Sequence, residues 1–126
     1  MKILFILMLF CASLSLFAQQ DSTKKQYLGV LTLTEKYKNE KNWGKADEAI
    51  VGEHFKRLVK YKEQGIVILA GRTDYETNNP DMMGLVIFYS KNDKEAFQFM
   101  MEDPAVKNKI MLARVHPYSV AISKCE

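Results

Sequence analysis

Between residues 47 and 64 apolar side chains recur with the period of an α-helix, and this run does most to limit what the chain can become. Ile50, Val51, Phe55, Leu58 and Tyr61 fall on one side, and Glu53, Lys56, Arg57 and Lys60 on the other. Gly65 ends the run as a C-terminal glycine. Two β-favouring stretches bracket it. Residues 27–33 come before, with Gly29 inside, and residues 66–70 come after, apolar on both alternating faces.

The remaining elements follow in order. Residues 34–44 are polar and lysine-rich, a loop or frayed turn, and Trp43 just before the main helix has the bulk for either a staple onto that helix or a pocket wall. Residues 71–81 form a polar loop, and residues 82–89 a third strand, again apolar on both faces. Asn92 or Asp93 caps a second helix, with Glu95 completing a capping-box pattern and Ala96, Phe97, Met100 and Met101 on its buried side. Asp103-Pro104 ends that helix, because a residue before proline avoids helical geometry, and it restarts a short turn with Asp103 as cap. Residues 110–115 form a fourth strand, which residues 118–122 extend or supplement at an edge.

Strand, helix, strand, strand, helix, strand is the ferredoxin-like α+β pattern, an antiparallel sheet with two helices on one face. The opposite face should be polar if it met water. Here two strands are apolar on both sides, so the open sheet face is expected to be covered by a second copy of the chain, as a homodimer. Nothing divides the 126 residues into more than one domain.

Residues 1–18 read as a signal peptide. Lys2 is followed by an apolar stretch too short to span a bilayer comfortably, and Ala18-Gln19 is the expected cut, with Ser13-Leu14-Ser15 as a second site. Cys11 suggests a lipid-anchored chain, but bulky Phe10 before it disfavours that processing. The mature chain, residues 19–126, is therefore expected to be exported to the periplasm or the exterior, with no stable membrane insertion. Cys125 then stands alone and can form no internal disulfide. A net charge of +3, interleaved with acids, does not call for nucleic acid.

His54 is the residue that points to chemistry. It projects into the apolar stripe between Ile50 and Leu58, where a titratable ring needs a partner. A histidine so placed is often just a satisfied core residue, and Asp103 is adequately explained as a cap. The sequences Gly52-Glu53-His54-Phe55-Lys56-Arg57-Leu58, Gly65-Ile66-Val67-Ile68-Leu69-Ala70-Gly71-Arg72 and Ala96…Asp103-Pro104-Ala105-Val106 together resemble the YCII-related, or YciI-like, family. The resemblance implies a dimeric α/β barrel and an active-site pair mapping onto His54 and Asp103. The chain differs from that family in Arg72, where proline often follows the glycine, in Ala105, where an aromatic often follows Asp-Pro, and in its export signal.

If the fold joins them, Asp103 would fix the tautomer of His54 and leave its other nitrogen as a base. Such a base suits proton abstraction beside a carbonyl, or elimination, in a lyase or isomerase. Arg72 or Tyr75 would meet an anionic or phenolic substrate. The alternative is a non-catalytic module that binds or senses a small molecule in the same pocket. His116, before Pro117, reads as structural, and Met82, Met83, Met100 and Met101 as core filler. The chain has no His-Glu-x-x-His motif, no close cysteine pair and no glycine-rich phosphate loop, so neither metal nor nucleotide cofactor is expected.

Overall fold

The computed structural model describes residues 23–124. The leader, Cys11 and Cys125 lie outside the described residues. Strand β1 spans Lys25–Leu33, helix α1 Lys45–Glu63, β2 Val67–Arg72, β3 Gly84–Ser90, α2 Asp93–Met101, α3 Pro104–Lys107 and β4 Met111–Tyr118. The strands form one antiparallel sheet in the order β2-β3-β1-β4, the ferredoxin-like arrangement.

Local chemistry explains where each helix starts and stops. The Asp47 carboxylate accepts from the Gly44 N–H at 3.0 Å and so closes the first turn of α1. Gly65 ends α1 in the left-handed conformation, at φ 72°. Gly65 N–H donates to Lys62 O and Ile66 N–H to Tyr61 O, the paired bonds of a Schellman turn. Asn92 caps α2 by accepting from Glu95 N–H at 2.9 Å. Asp103 caps α3 by accepting from Ala105 N–H at 2.9 Å, with Pro104 at the first helical position.

Alternate residues of the sheet face the helices. Tyr27, Leu31, Val86 and Phe88 pack with Leu58 of α1, Ala96 and Met100 of α2, and Val106 of α3. A second cluster joins Leu33, Tyr37, Ala105 and Ile110 at one end. Residues 34–44 are more structured than their polarity suggests. Two short 3-10 turns, Glu35–Lys38 and Glu40–Asn42, bury Tyr37, whose hydroxyl donates to Asp47 Oδ1 at 2.8 Å. That bond, the Gly44 N–H and the nearby Lys36 charge hold the Asp47 carboxyl below its ordinary range, against a smaller opposing effect of burial.

Strand register places Leu28, Val30, Leu85, Ile87 and Leu69 on the opposite face of the sheet, beside Leu112. Among the described residues no helix lies over them, and Leu69 and Leu112 are exposed. His116 stands across from Leu28 on this face. β4 runs on to Tyr118 as a single strand, and Ile122 beyond it is almost fully exposed. A bulge between Val67 and Leu69 interrupts the pairing of β2 with β3.

Two residues of α1 depart from the helical-wheel reading. Phe55, assigned to the core stripe, is 67 % exposed. Arg57, assigned to the solvated face, has a side chain only 13 % exposed. The buried arc of α1 leans towards α3, against which it packs, and Arg57 reaches on to Phe99 of α2, while Phe55 borders the open side of the helix above the sheet.

Candidate functional site

α1 and α3 bring together side chains that are remote in the chain. His54 Nδ1 lies 2.7 Å from Asp103 Oδ2, with side chains 12 % and 1 % exposed. The two oxygens of Asp103 have separate duties: Oδ1 accepts the capping bond from Ala105 N–H and Oδ2 faces the imidazole. Structural cap and histidine partner are thus one residue in two roles. A carboxylate offers only lone pairs, so the proton in this contact belongs on Nδ1. Nε2 is then the basic nitrogen, and it has no hydrogen bond among the described residues.

Arg57 completes the group, and the sequence reading missed it. It lies one helical turn beyond His54, with NH1 3.7 Å from Asp103 Oδ2. NH2 donates to Phe99 O at 2.7 Å, and the guanidinium lies over the rings of Phe99 and Tyr61, 4.4 and 4.9 Å from their centroids. NH1 is the one buried side-chain polar atom without a hydrogen-bond partner among the described residues. Arg57 thus supplies positive charge to a buried carboxylate and is held in place by stacking as much as by hydrogen bonding. The available signal was the i, i+3 spacing from His54, which places both on adjoining strips of one helix.

On its other side His54 lines a cavity of about 640 Å³ between α1 and the sheet. The floor includes Leu31, Val86 and Met111, and the α1 wall includes Val51, Leu58 and Val59. Trp43 is both staple and wall. Its indole N–H donates to Tyr37 O at 2.8 Å, its ring meets Tyr37 edge-on, and it lines the cavity. Arg72, at the end of β2, also lines the cavity, as do Lys62 and Met82. Tyr75 sits in the loop after β2, about half exposed and away from the cavity lining. Asp103 lies behind His54 and does not reach the cavity itself.

The arrangement is an oriented imidazole, one nitrogen tied to a buried carboxylate, on the wall of an apolar hollow large enough for a small organic molecule. It can accept a proton from, and return it to, a ligand held there. Among the described residues no three His, Cys, Asp or Glu side chains are grouped as a metal would need. A search of curated proteins finds no significant match. Residues 22–117 match the YCII-related domain, and the chain belongs to that family.

Proposed function

We propose that this protein is an enzyme that works without a cofactor on a small organic molecule, using His54 as general base and acid and Asp103 to orient it. The supporting observation is the 2.7 Å contact between His54 and Asp103, with the ring at the wall of the apolar cavity. The chemistry it suits is isomerisation or elimination beside a carbonyl. The C–H bond breaks, its proton passes to Nε2, and the electron pair moves onto the carbonyl oxygen as an enolate. In a β,γ-unsaturated carbonyl, return of the proton at the far alkene carbon of the dienolate gives the conjugated isomer; where the β-carbon bears a leaving group, that group departs with its bonding pair and leaves the alkene. General-base help of this kind is worth ~10²–10⁴ in rate.

The working unit we propose is an exported homodimer, joined through the open sheet face into a dimeric barrel. Its support is the apolar set Leu28, Leu69, Leu85, Ile87 and Leu112 on the sheet face that carries no helix, together with the leader read in residues 1–18. Sedimentation at micromolar concentration should give a dimer, and a stable monomer counts against it.

The test of the chemistry is exchange of carbon-bound hydrogen for deuterium in a panel of small keto acids and unsaturated lactones, followed by NMR. The wild-type protein should catalyse exchange in at least one compound, and His54→Ala should abolish it while keeping its fold. Binding without exchange across the panel would favour the non-catalytic reading. Undiminished exchange in His54→Ala would end the claim.

A further inference from the structure

The charge around the cavity is one-sided. Three of its lining residues can carry charge, His54, Lys62 and Arg72, and none is acidic. The rest of the lining is almost wholly apolar. Neither Lys62 nor Arg72 makes an ion pair or side-chain hydrogen bond among the described residues, whereas Lys56 on the outer face of α1 pairs with Glu53 and Arg57 with Asp103. Two cations therefore border a hydrocarbon-walled space with their charge uncompensated by the protein.

Their positions along the cavity follow from the chain path. The tight turn at Gly65 sends β2 back antiparallel to α1, so Arg72, at the far end of the strand, lies towards the level of His54. Lys62 is two turns further along α1 from His54, about 12 Å at 1.5 Å per residue. The hollow is thus longer than one functional group. It has the acid-base nitrogen and the guanidinium at one end and an ammonium at the other.

We propose that the cavity takes an amphiphilic organic anion, with its oxyanion group (a carboxylate or phenolate) beside Arg72 and its apolar body running between α1 and the sheet towards Lys62. The inference rests on the reading of this cavity as the ligand site, though not on turnover there. A guanidinium presents two parallel N–H donors that match a carboxylate, and such charge-assisted bonds are roughly twice as strong as neutral ones. Arg72 is itself exposed, so this pairing forms at the rim of the hollow, where water weakens it, and the apolar walls take the rest of the ligand. An uncharged analogue would forgo that pairing, and a cation would be repelled. Because His54 and Arg72 line the same cavity, an anion held by Arg72 would, in this proposal, present the carbon next to its charged group to the imidazole.

Trp43 provides the measurement, because it is the only tryptophan in the chain and lines the cavity. Its emission is titrated with three molecules of nearly equal shape: 4-phenylbutyrate, 4-phenylbutyramide and 4-phenylbutylamine. The carboxylate should bind about tenfold more tightly than the amide, and the amine more weakly than either. Arg72→Met should bring carboxylate and amide to parity, and Arg72→Gln guards against a folding artefact in a single variant. Lys62→Met should weaken the carboxylate about two- to threefold at most, since its ammonium is exposed and lies at the far end from the bound charge. Lys60→Met, on the outer face, controls for overall charge and should change nothing. Equal binding of carboxylate and amide, a preference that survives loss of Arg72, or no response to any of the three at millimolar concentration would overturn the proposal. Carboxylate preference retained in His54→Ala, with no hydrogen exchange in the wild type, would refute the acid-base reading and leave the ligand class standing.

Discussion

The two long helices meet the sheet in different ways. α2 lies close against it. Met100 rests where a side chain on Gly29 would be, its sulfur and methyl 2.7 Å from the position of a Cβ, and Phe99 stacks on Phe88 at 4.6 Å. α1 stands off, touching the sheet mainly along its edge strand β2, and the space beneath it is the cavity. The same strand-helix-strand unit occurs twice in the chain, and only one copy is packed shut. What supports α1 instead is its flank, where His54 meets Asp103 and Arg57 lies across Tyr61 and Phe99. A polar buttress can hold a helix at a distance that hydrocarbon contact alone would tend to close, since buried polar groups pair only at fixed geometry.

The largest effect that would test this contrast is at the buttress. Asp103→Ala strips the cap from α3, leaves His54 without its partner and strands Arg57 in the interior. Urea unfolding should show a loss of about 3–5 kcal/mol. Asp103→Asn keeps an acceptor for Ala105 N–H and should lose clearly less. A loss within about 0.5 kcal/mol for the alanine variant would show that α1 is held by something else. In the packed half, Gly29→Ala pushes a methyl group into Met100. The flexible end of that side chain can yield in part, so thermal unfolding should register about 1–3 kcal/mol.

The open half should respond in the opposite sense. Ala70→Phe on β2 projects into the cavity, and stability should stay within about 0.5 kcal/mol of wild type while the Trp43 response to ligands disappears. A cost as large as that of Gly29→Ala would mean that the hollow is already tightly fitted. The smallest effect concerns the loop that carries Trp43. The Asp47 carboxyl is held below its ordinary range, so its contribution is present at neutral pH and is lost as pH falls through its folded-state value, below about 4. Tyr37→Phe removes the main cause, and the variant should lose less stability than wild type between neutral pH and pH ~3.

The order of elements could be read from the sequence because each boundary carries its own chemistry: Gly65, Asn92 and Asp103-Pro104 all act where their residue types predict. His54 stood out because a titratable ring in an apolar stripe has few innocent explanations. Arg57 did not, since a helical wheel cannot tell which of two broad flanks meets a neighbouring helix; Phe55 is on the expected side but faces the open hollow, and Phe97 of α2, read as buried, is exposed. Tyr37 was hidden for a different reason. Its polar, lysine-rich surroundings describe the loop's outer surface and say nothing of the one ring folded beneath. The stand-off of α1 has no sequence signature, because it is a distance set by several side chains from three helices.

Asp103 carries a consequence for how such a protein can change. One of its oxygens fastens the start of α3 and the other aims the imidazole, so neither task can be retuned alone. Replacing the aspartate to alter the basicity of the ring would also loosen a helix. New selectivity is more cheaply reached by trading exposed lining residues such as Phe55, Val59 and Ala70, which belong to neither core cluster. The imidazole and its fastening then form a fixed anvil, and the interchangeable walls decide what is laid upon it.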